Sequence, residues 1–341
     1  MIGDDTQPSR GSPPANPAGH APLRRPGSVR RTSSIDITWP EGQGGHMDFD
    51  GRCRDIITPA DGGEPVTLAE DAVRASMAFD RTVEMIESTP ARPNIGVLVG
   101  IDGGRLRHYL GDAIREDRGA GNPLYQLLDD LVGASLVGPW AWSRWTPDWR
   151  RRYFPDDEEQ ARILRKKRME GVCTGFRPGS SAFDDVWGRD QSCHPVGELH
   201  HPDDPAGWHA LPVLTPRPSL RRARRMDAWI DGVMSIEAHF QDSALTPEGG
   251  RVAVHEYLLH AEVDPETLAL LAVRAEPRIL PNPECPDAID NIARLAGTPL
   301  PKLRMVTLME LRGVLGCTHL NDALRALADM PKVIRAALRH G

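Results

Sequence analysis

The polarity pattern divides the chain into stretches of strand-like period and stretches of helix-like period. Residues 251–263 and 267–277 are two β-rich apolar runs separated by the turn sequence Asp264-Pro265-Glu266, and they read as an antiparallel hairpin. Residues 221–230 and 233–243, parted by Asp231-Gly232, add two preceding strands. The pair 66–79 and 82–89 repeats the hairpin pattern earlier in the sequence, although 66–79 also fits a helical period. Helix-period segments follow at 286–296, 300–315 and 318–328.

These segments recur in order. RRTSSID (30–36) answers RRARRMD (221–227), and Trp39 answers Trp229. MDFDGRCRD (47–55) answers MSIEAHFQD (234–242), which pairs Asp50 with Glu237 and Asp55 with Asp242. Turn sequences TPADGG and TPEGG come next, then LLDDLVGASL against NIARLAGTPL, and finally Cys173-Thr174 against Cys317-Thr318. Five blocks in one order imply a duplicated unit. The expected fold is α+β: two tandem diverged repeats, each an antiparallel β-meander followed by helices, related by a pseudo-twofold axis that places Cys173 and Cys317 equivalently. Repeat one spans 29–187 and repeat two 220–341. A Pro/His-rich connection fills 188–219. Residues 1–28, rich in Pro, Gly and Ser, hold too few core-forming residues to offset ordering entropy and are expected to be disordered, so that their deletion leaves stability unchanged. Repeat one carries an insertion at about 137–170. The distance from Leu136 to Cys173 is 37 residues, against 17 from Leu300 to Cys317, and four of the eight tryptophans lie in the excess.

Composition narrows the function. The protein has 341 residues, a net charge of −7 and a pI near 6.0, which disfavours broad contact with nucleic acid or an anionic membrane. No apolar run approaches the roughly 20 residues of a membrane helix. Five cysteines, an odd number without framework spacing, read as reduced thiols, and the expected location is the cytoplasm. No dinucleotide fingerprint, phosphate loop, serine-hydrolase elbow or HExxH motif is present, so no cofactor is expected.

The run Cys285-Pro286 through Leu300, followed by Leu311 through Leu324 with Gly316-Cys317-Thr318-His319-Leu320 opening a helix, resembles a bacterial family known as domain of unknown function 2889. The likeness covers about 221–327. Repeat one looks like a diverged relative that keeps Cys173-Thr174 but has Gly175 for the histidine. Genes of that family often accompany aromatic-compound catabolism, so the resemblance implies a small aromatic substrate.

Several residue groups carry candidate chemistry. Cys317 and His319 flank a helix N-terminus, where a thiolate or an acid/base imidazole is favoured; a capped helix with a structural cysteine is the plainer reading. Glu237 and His239 share one strand face with Asp242 opposite, and a carboxylate beside a histidine makes a general base; a water-facing polar strand is the alternative. Trp142, Trp145 and Trp149 fall at i, i+3 and i+7 and form one aromatic face, either a wall for a flat ligand or a face used in core packing or a homodimer interface. Arg222 is placed on an anionic group, and Asp50 and Asp55 in the same cavity. Cys193, His194, His200, His201 and His209 are of metal-binding types but lack metal-site spacing, so no metal is expected. His255, His260 and Cys285 read as ordinary core or surface residues.

The resulting expectation is a cofactor-independent acid/base lyase. It would act on a small lignin-derived or other aromatic compound, cleaving a C–C bond beside the ring and releasing a small aldehyde. A non-catalytic assembly protein built on the tryptophan insertion is one alternative. A metal-dependent enzyme using the Cys/His-rich connection is the other.

Overall fold

The computed structural model describes residues 12–184 and 192–339. Residues 1–11 of the expected disordered segment and the start of the connection lie outside them. The strands are β1 (Val29–Thr38), β2 (Met47–Ile57), β3 (Val66–Met77), β4 (Val83–Thr89), β5 (His194–Val196), β6 (Ser219–Asp231), β7 (Val233–Leu245), β8 (Arg251–Val263) and β9 (Leu270–Ile279). All belong to one antiparallel sheet with the order β4-β3-β2-β1-β6-β7-β8, after which β8 pairs with both β5 and β9. β1 and β6 meet at the centre, where Ser33 opposes Arg224. The 66–79 segment is therefore a strand.

Seven helices are described: α1 (Leu106–Ala113), α2 (Arg115–Ala120), α3 (Pro123–Val137), α4 (Glu158–Met169), α5 (Leu300–Glu310), α6 (Thr318–Ala326) and α7 (Met330–Ala337). α3 packs on β1–β3, and α6 on β7 and β8. Alternation decides which residues meet them. Met234, Ile236, Ala238 and Phe240 of β7 enter one apolar cluster with α5–α7, while Met47, Phe49 and Cys53 of β2 enter another with α1 and α3.

Between the two clusters lies a belt of six arginines and six aspartates. Arg31 forks Asp55 at 2.6 Å, Arg222 forks Asp242 at 2.8 and 2.9 Å, and Arg224 forks Asp130. Arg107, Arg304 and Arg325 converge on Asp129. Asp322 and Asp329 tie these pairs to one another. Buried charges of this kind persist only when paired, so the belt fixes the helices in register on the sheet.

The opposite sheet face is covered by the described part of the segment expected to be disordered and by the connection. Residues 12–28 run along it. The Asn16 amide donates to the Arg278 carbonyl, the Ala18 amide donates to Glu256, Arg24 pairs with Asp204, and Ala21 is buried. Composition understated this segment because its contacts are made by backbone groups and small residues, which carry no hydrophobic signature. Deleting residues 1–28 is accordingly expected to cost about 2–4 kcal/mol, since Glu256, Arg30 and Asp204 each lose a buried partner. An unfolding titration within about 0.5 kcal/mol of the full-length protein would refute this. From the connection, His209 inserts between the hydroxyls of Thr32 and Ser34 at 2.9 and 2.7 Å, and burial, then nearby arginines, pushes it down to about 3. No helix among the described residues is long and apolar enough to cross a membrane.

Candidate functional site

A cavity of about 260 Å³ opens where the insertion folds over β8 and the start of α6. Its floor is Val254 and His255 of β8 with Cys317, Thr318 and His319. Its sides include Cys285, Cys173, Gly175 and Phe176, and the insertion closes it with Trp140, Trp149, Arg150, Phe154 and Arg165. The lining is mainly apolar, with His255, Thr318 and His319 on the floor and Arg150 and Arg165 among the covering residues.

The sequence places these groups for local reasons. Cys317 is the extended residue before α6, so the first turn of the helix presents Thr318 and His319. Gly316 is required: a Cβ there would lie 2.1 Å from the Leu311 carbonyl oxygen. On β7 and β8, Asp242 and His255 are cross-strand partners immediately before a bulge.

Asp242, His255 and His319 form the polar centre. The two imidazoles stack with centroids 3.4 Å apart and planes 18° apart. His255 Nδ1 lies 3.5 Å, and His319 Nε2 3.7 Å, from Asp242 Oδ2. Burial, then the neighbouring His255, holds His319 well below the ordinary histidine range; burial likewise lowers His255, against the pull of Asp242. Both rings are therefore neutral at pH 7. Burial alone would raise Asp242, but the charge of Arg222 and its forked hydrogen bonds hold it well below the usual carboxylate range. On its other side His319 Nδ1 faces Thr318 Oγ1 at 3.4 Å and Cys317 Sγ at 4.0 Å. Burial raises the thiols of Cys173, Cys285 and Cys317, and the Tyr257 hydroxyl donates to Cys317 at 3.5 Å. Burial thus favours the thiol over the thiolate form of all three.

The site falls within a recognisable segment. Residues 220–332 match a family model described as a protein of unknown function (DUF2889). The matched segment contains Asp242, His255, Cys285, Cys317 and His319, whereas the aromatic lid comes from outside it. No curated protein and no solved structure matches the sequence.

Other expected site residues lie elsewhere. Glu237 and His239 are on the opposite sheet face, as the strand period requires: His239 shares a hydrogen bond with Glu256 at 2.8 Å beneath residues 12–28, and half-exposed Glu237 faces His260. Arg222 is fully buried and held by Asp242 and Asp322, so it cannot receive a ligand anion. Asp55 is occupied by Arg31, and Asp50 pairs with Arg52 at 3.1 Å on the sheet's far half. Of the tryptophan face, only Trp149 lines the cavity. Trp142 packs edge-on against Trp39, and Trp145 donates to the Leu245 carbonyl. The insertion opens as a 3-10 helix at Gly138–Arg144, so the α-helical spacing does not apply, and Trp140 takes the place beside Trp149. Cys173 and Cys317 are neighbours on one cavity rather than equivalent positions in two units: the Thr174 amide donates to the Gly316 carbonyl. Among the described residues, only Asp242, His255 and His319 gather tightly enough to share a metal ion; the Cys193–His209 group does not.

Proposed function

We propose that this protein is a cofactor-independent lyase that binds one small aromatic compound in the cavity and breaks a C–C bond of the ring's substituent, with His319 as general base. The observation that carries the reading is a pair of neutral, carboxylate-backed imidazoles on the floor of an otherwise apolar, tryptophan-walled cavity. Roughly 150 Å³ suffices for benzene in an apolar protein cavity. By that scale, the present cavity suits about ten non-hydrogen atoms, one ring with a short substituent. In the proposed step His319 takes the proton of a hydroxyl on that substituent. The C–C bond breaks, an aldehyde leaves, and the electron pair delocalises toward the ring before the imidazolium returns the proton to carbon. Asp242 stabilises the transient positive charge. Binding is tested by thermal shift against a panel of phenylpropanoid-sized compounds. A ligand from it is expected to bind Trp149→Ala about tenfold or more weakly, because ring stacking contributes roughly 1–3 kcal/mol. Unchanged affinity would move the site elsewhere.

A second reading has one favourable observation. Separations of 3.5 and 3.7 Å exceed hydrogen-bond length, and with metal–ligand bonds of roughly 2.1 Å they correspond to angles of about 110–125° at a shared ion. Two observations weigh against it. Both Asp242 oxygens already accept from Arg222, and the in-plane lone pairs of stacked rings do not converge without a ring rotation. Stoichiometric zinc or iron in the purified protein, with loss of activity on chelation, would decide for the metal.

We also infer that the two halves descend from one duplicated unit. Support comes from the mirrored strand order and from reciprocal ion pairs. Arg30 pairs with Asp227 while Arg221 pairs with Asp36, and Arg31–Asp55 parallels Arg222–Asp242, each carboxylate sitting just before a bulge. α3, rather than the Cys173 region, is then the counterpart of α6.

A further inference from the structure

The sheet face turned away from the helices holds a second pocket, of about 170 Å³, walled on one side by Ala18, Gly19, His20 and Pro22. Alternation decides what else bounds it. Arg225 of β6 opposes His239 of β7, Asp227 opposes Glu237, and Glu237 opposes His260 of β8, so these side chains share that face. Arg225, Glu237, His239 and His260 all border the pocket, beside apolar neighbours such as Leu258.

Arg225 is under-paired. It is 5 % exposed, and its Nε donates to Asp227 at 2.6 Å. Its two terminal nitrogens have no acceptor among the described residues. Neither is sealed inside the protein, and the pocket is the opening that Arg225 borders. Asp227 is shared as well: it also receives Arg30, which with Arg24 shares Asp204. Three guanidiniums thus divide two carboxylates. Burial pulls the Arg225 pKa down, Asp227 opposes that only in part, and Arg30 adds to the fall. A buried guanidinium with four N–H groups unpaired is costly unless an acceptor reaches it.

Glu237 borders the same pocket without forming an ion pair with Arg225, and its half-exposed carboxylate lies 3.9 Å from His260. Arg225 and Glu237 are diagonal neighbours across β6 and β7, roughly 7–8 Å apart along the backbone grid. The pocket therefore offers an unpaired cation and a carboxylate with a gap between them. On the scale that gives benzene roughly 150 Å³, its volume holds about six or seven non-hydrogen atoms. We propose that it binds a small α-amino acid of the size of alanine or serine, whose carboxylate takes the terminal N–H groups of Arg225 and whose ammonium meets Glu237. The pocket lies across the sheet from the His319 cavity, and the inference stands independently of the chemistry assigned there.

The test is calorimetric titration of the full-length protein at pH 7.5 with L-alanine, with propionate, which lacks the ammonium, and with ethylamine, which lacks the carboxylate. L-alanine is expected to bind at least tenfold more tightly than either. Arg225→Met should weaken L-alanine at least tenfold, and Asp227 keeps Arg30 in that variant. Glu237→Gln, at a half-exposed position, should bring L-alanine down to the level of propionate and leave propionate unchanged. Should Arg225→Met fail to fold, Glu237→Gln decides alone. Trp149→Ala, in the other cavity, should leave L-alanine binding unchanged. No binding of L-alanine, equal binding of propionate, or loss of L-alanine binding in Trp149→Ala would each overturn the proposal.

Discussion

Asp129→Ala is expected to cost about 3–5 kcal/mol, a large share of the roughly 5–15 kcal/mol that holds a domain folded. Asp129 lies on α3 and is buried. It accepts from Arg107 at 3.0 Å, Arg325 at 2.9 Å and Arg304 at 3.1 Å, which come from α1, α6 and α5. Burial would raise its pKa, yet Arg107, Arg325 and Arg304 together hold it well below the usual carboxylate range, so it is ionised throughout the neutral pH range. Alanine leaves three guanidiniums facing one another with a carboxylate missing, and the loss comes from the stranded cations more than from the absent contact. Asp129→Asn keeps the shape, loses the charge, and should fall between the two. The control is Asp112, whose pairing with Arg115 is fully in solvent; its alanine variant should leave the unfolding midpoint in place. Chemical denaturation of the three variants decides. If Asp129→Ala unfolds where Asp112→Ala does, the belt contributes nothing and its role in registering helices on the sheet is wrong.

The strands were legible because one sheet face packs on helices, which imposes a clean period of two: Met234, Ile236, Ala238 and Phe240 turn inward while Glu237 and His239 turn away. The same period separated Asp242 from Glu237. Part of the site was legible too. Gly316-Cys317-Thr318-His319 exceeds what a helix start needs, and it lies at the cavity. His255 was missed because a histidine among apolar residues on a strand has no local signal; its meaning comes from stacking on His319, 64 positions later in the sequence. Arg222 was misassigned for a related reason. An arginine-rich strand reads as an anion-binding surface until the aspartates of α3, α6 and β7 are brought onto it. The tryptophan face failed because i, i+3, i+7 spacing selects one face only on a continuous α-helix, and here Pro139 and Pro147 bracket a 3-10 helix and a turn. The cavity itself is assembled from segments near residues 140–176, 255, 285 and 317, and no local window contains such an arrangement.

With a turned-over substrate in hand, His319→Gln should lower kcat by about 10²–10⁴-fold, the usual contribution of a positioned general base. Glutamine keeps a polar group of similar reach but cannot take up a proton near neutrality. His319 is 15 % exposed and carries no belt ion pair of its own beyond Asp242, so the variant should fold and bind ligand with Kd little changed. The pH profile supplies the mechanistic readout. A general base works when unprotonated, and burial beside His255 lowers the His319 pKa well below the ordinary 6.5. The active form is therefore present at and above pH 6.5 and is lost only as pH falls through the lowered value. The kcat profile should be flat from pH 6.5 to 8, with its acid limb further down. His255→Gln removes the stacked neighbour that disfavours a proton on His319, so it should move that limb upward. A merely structural histidine would leave the limb where it was. If His319→Gln keeps kcat within threefold of the parent, or if the parent's acid limb stands at pH 6.5 or above, His319 is not the base and the reaction belongs to another group on the cavity wall.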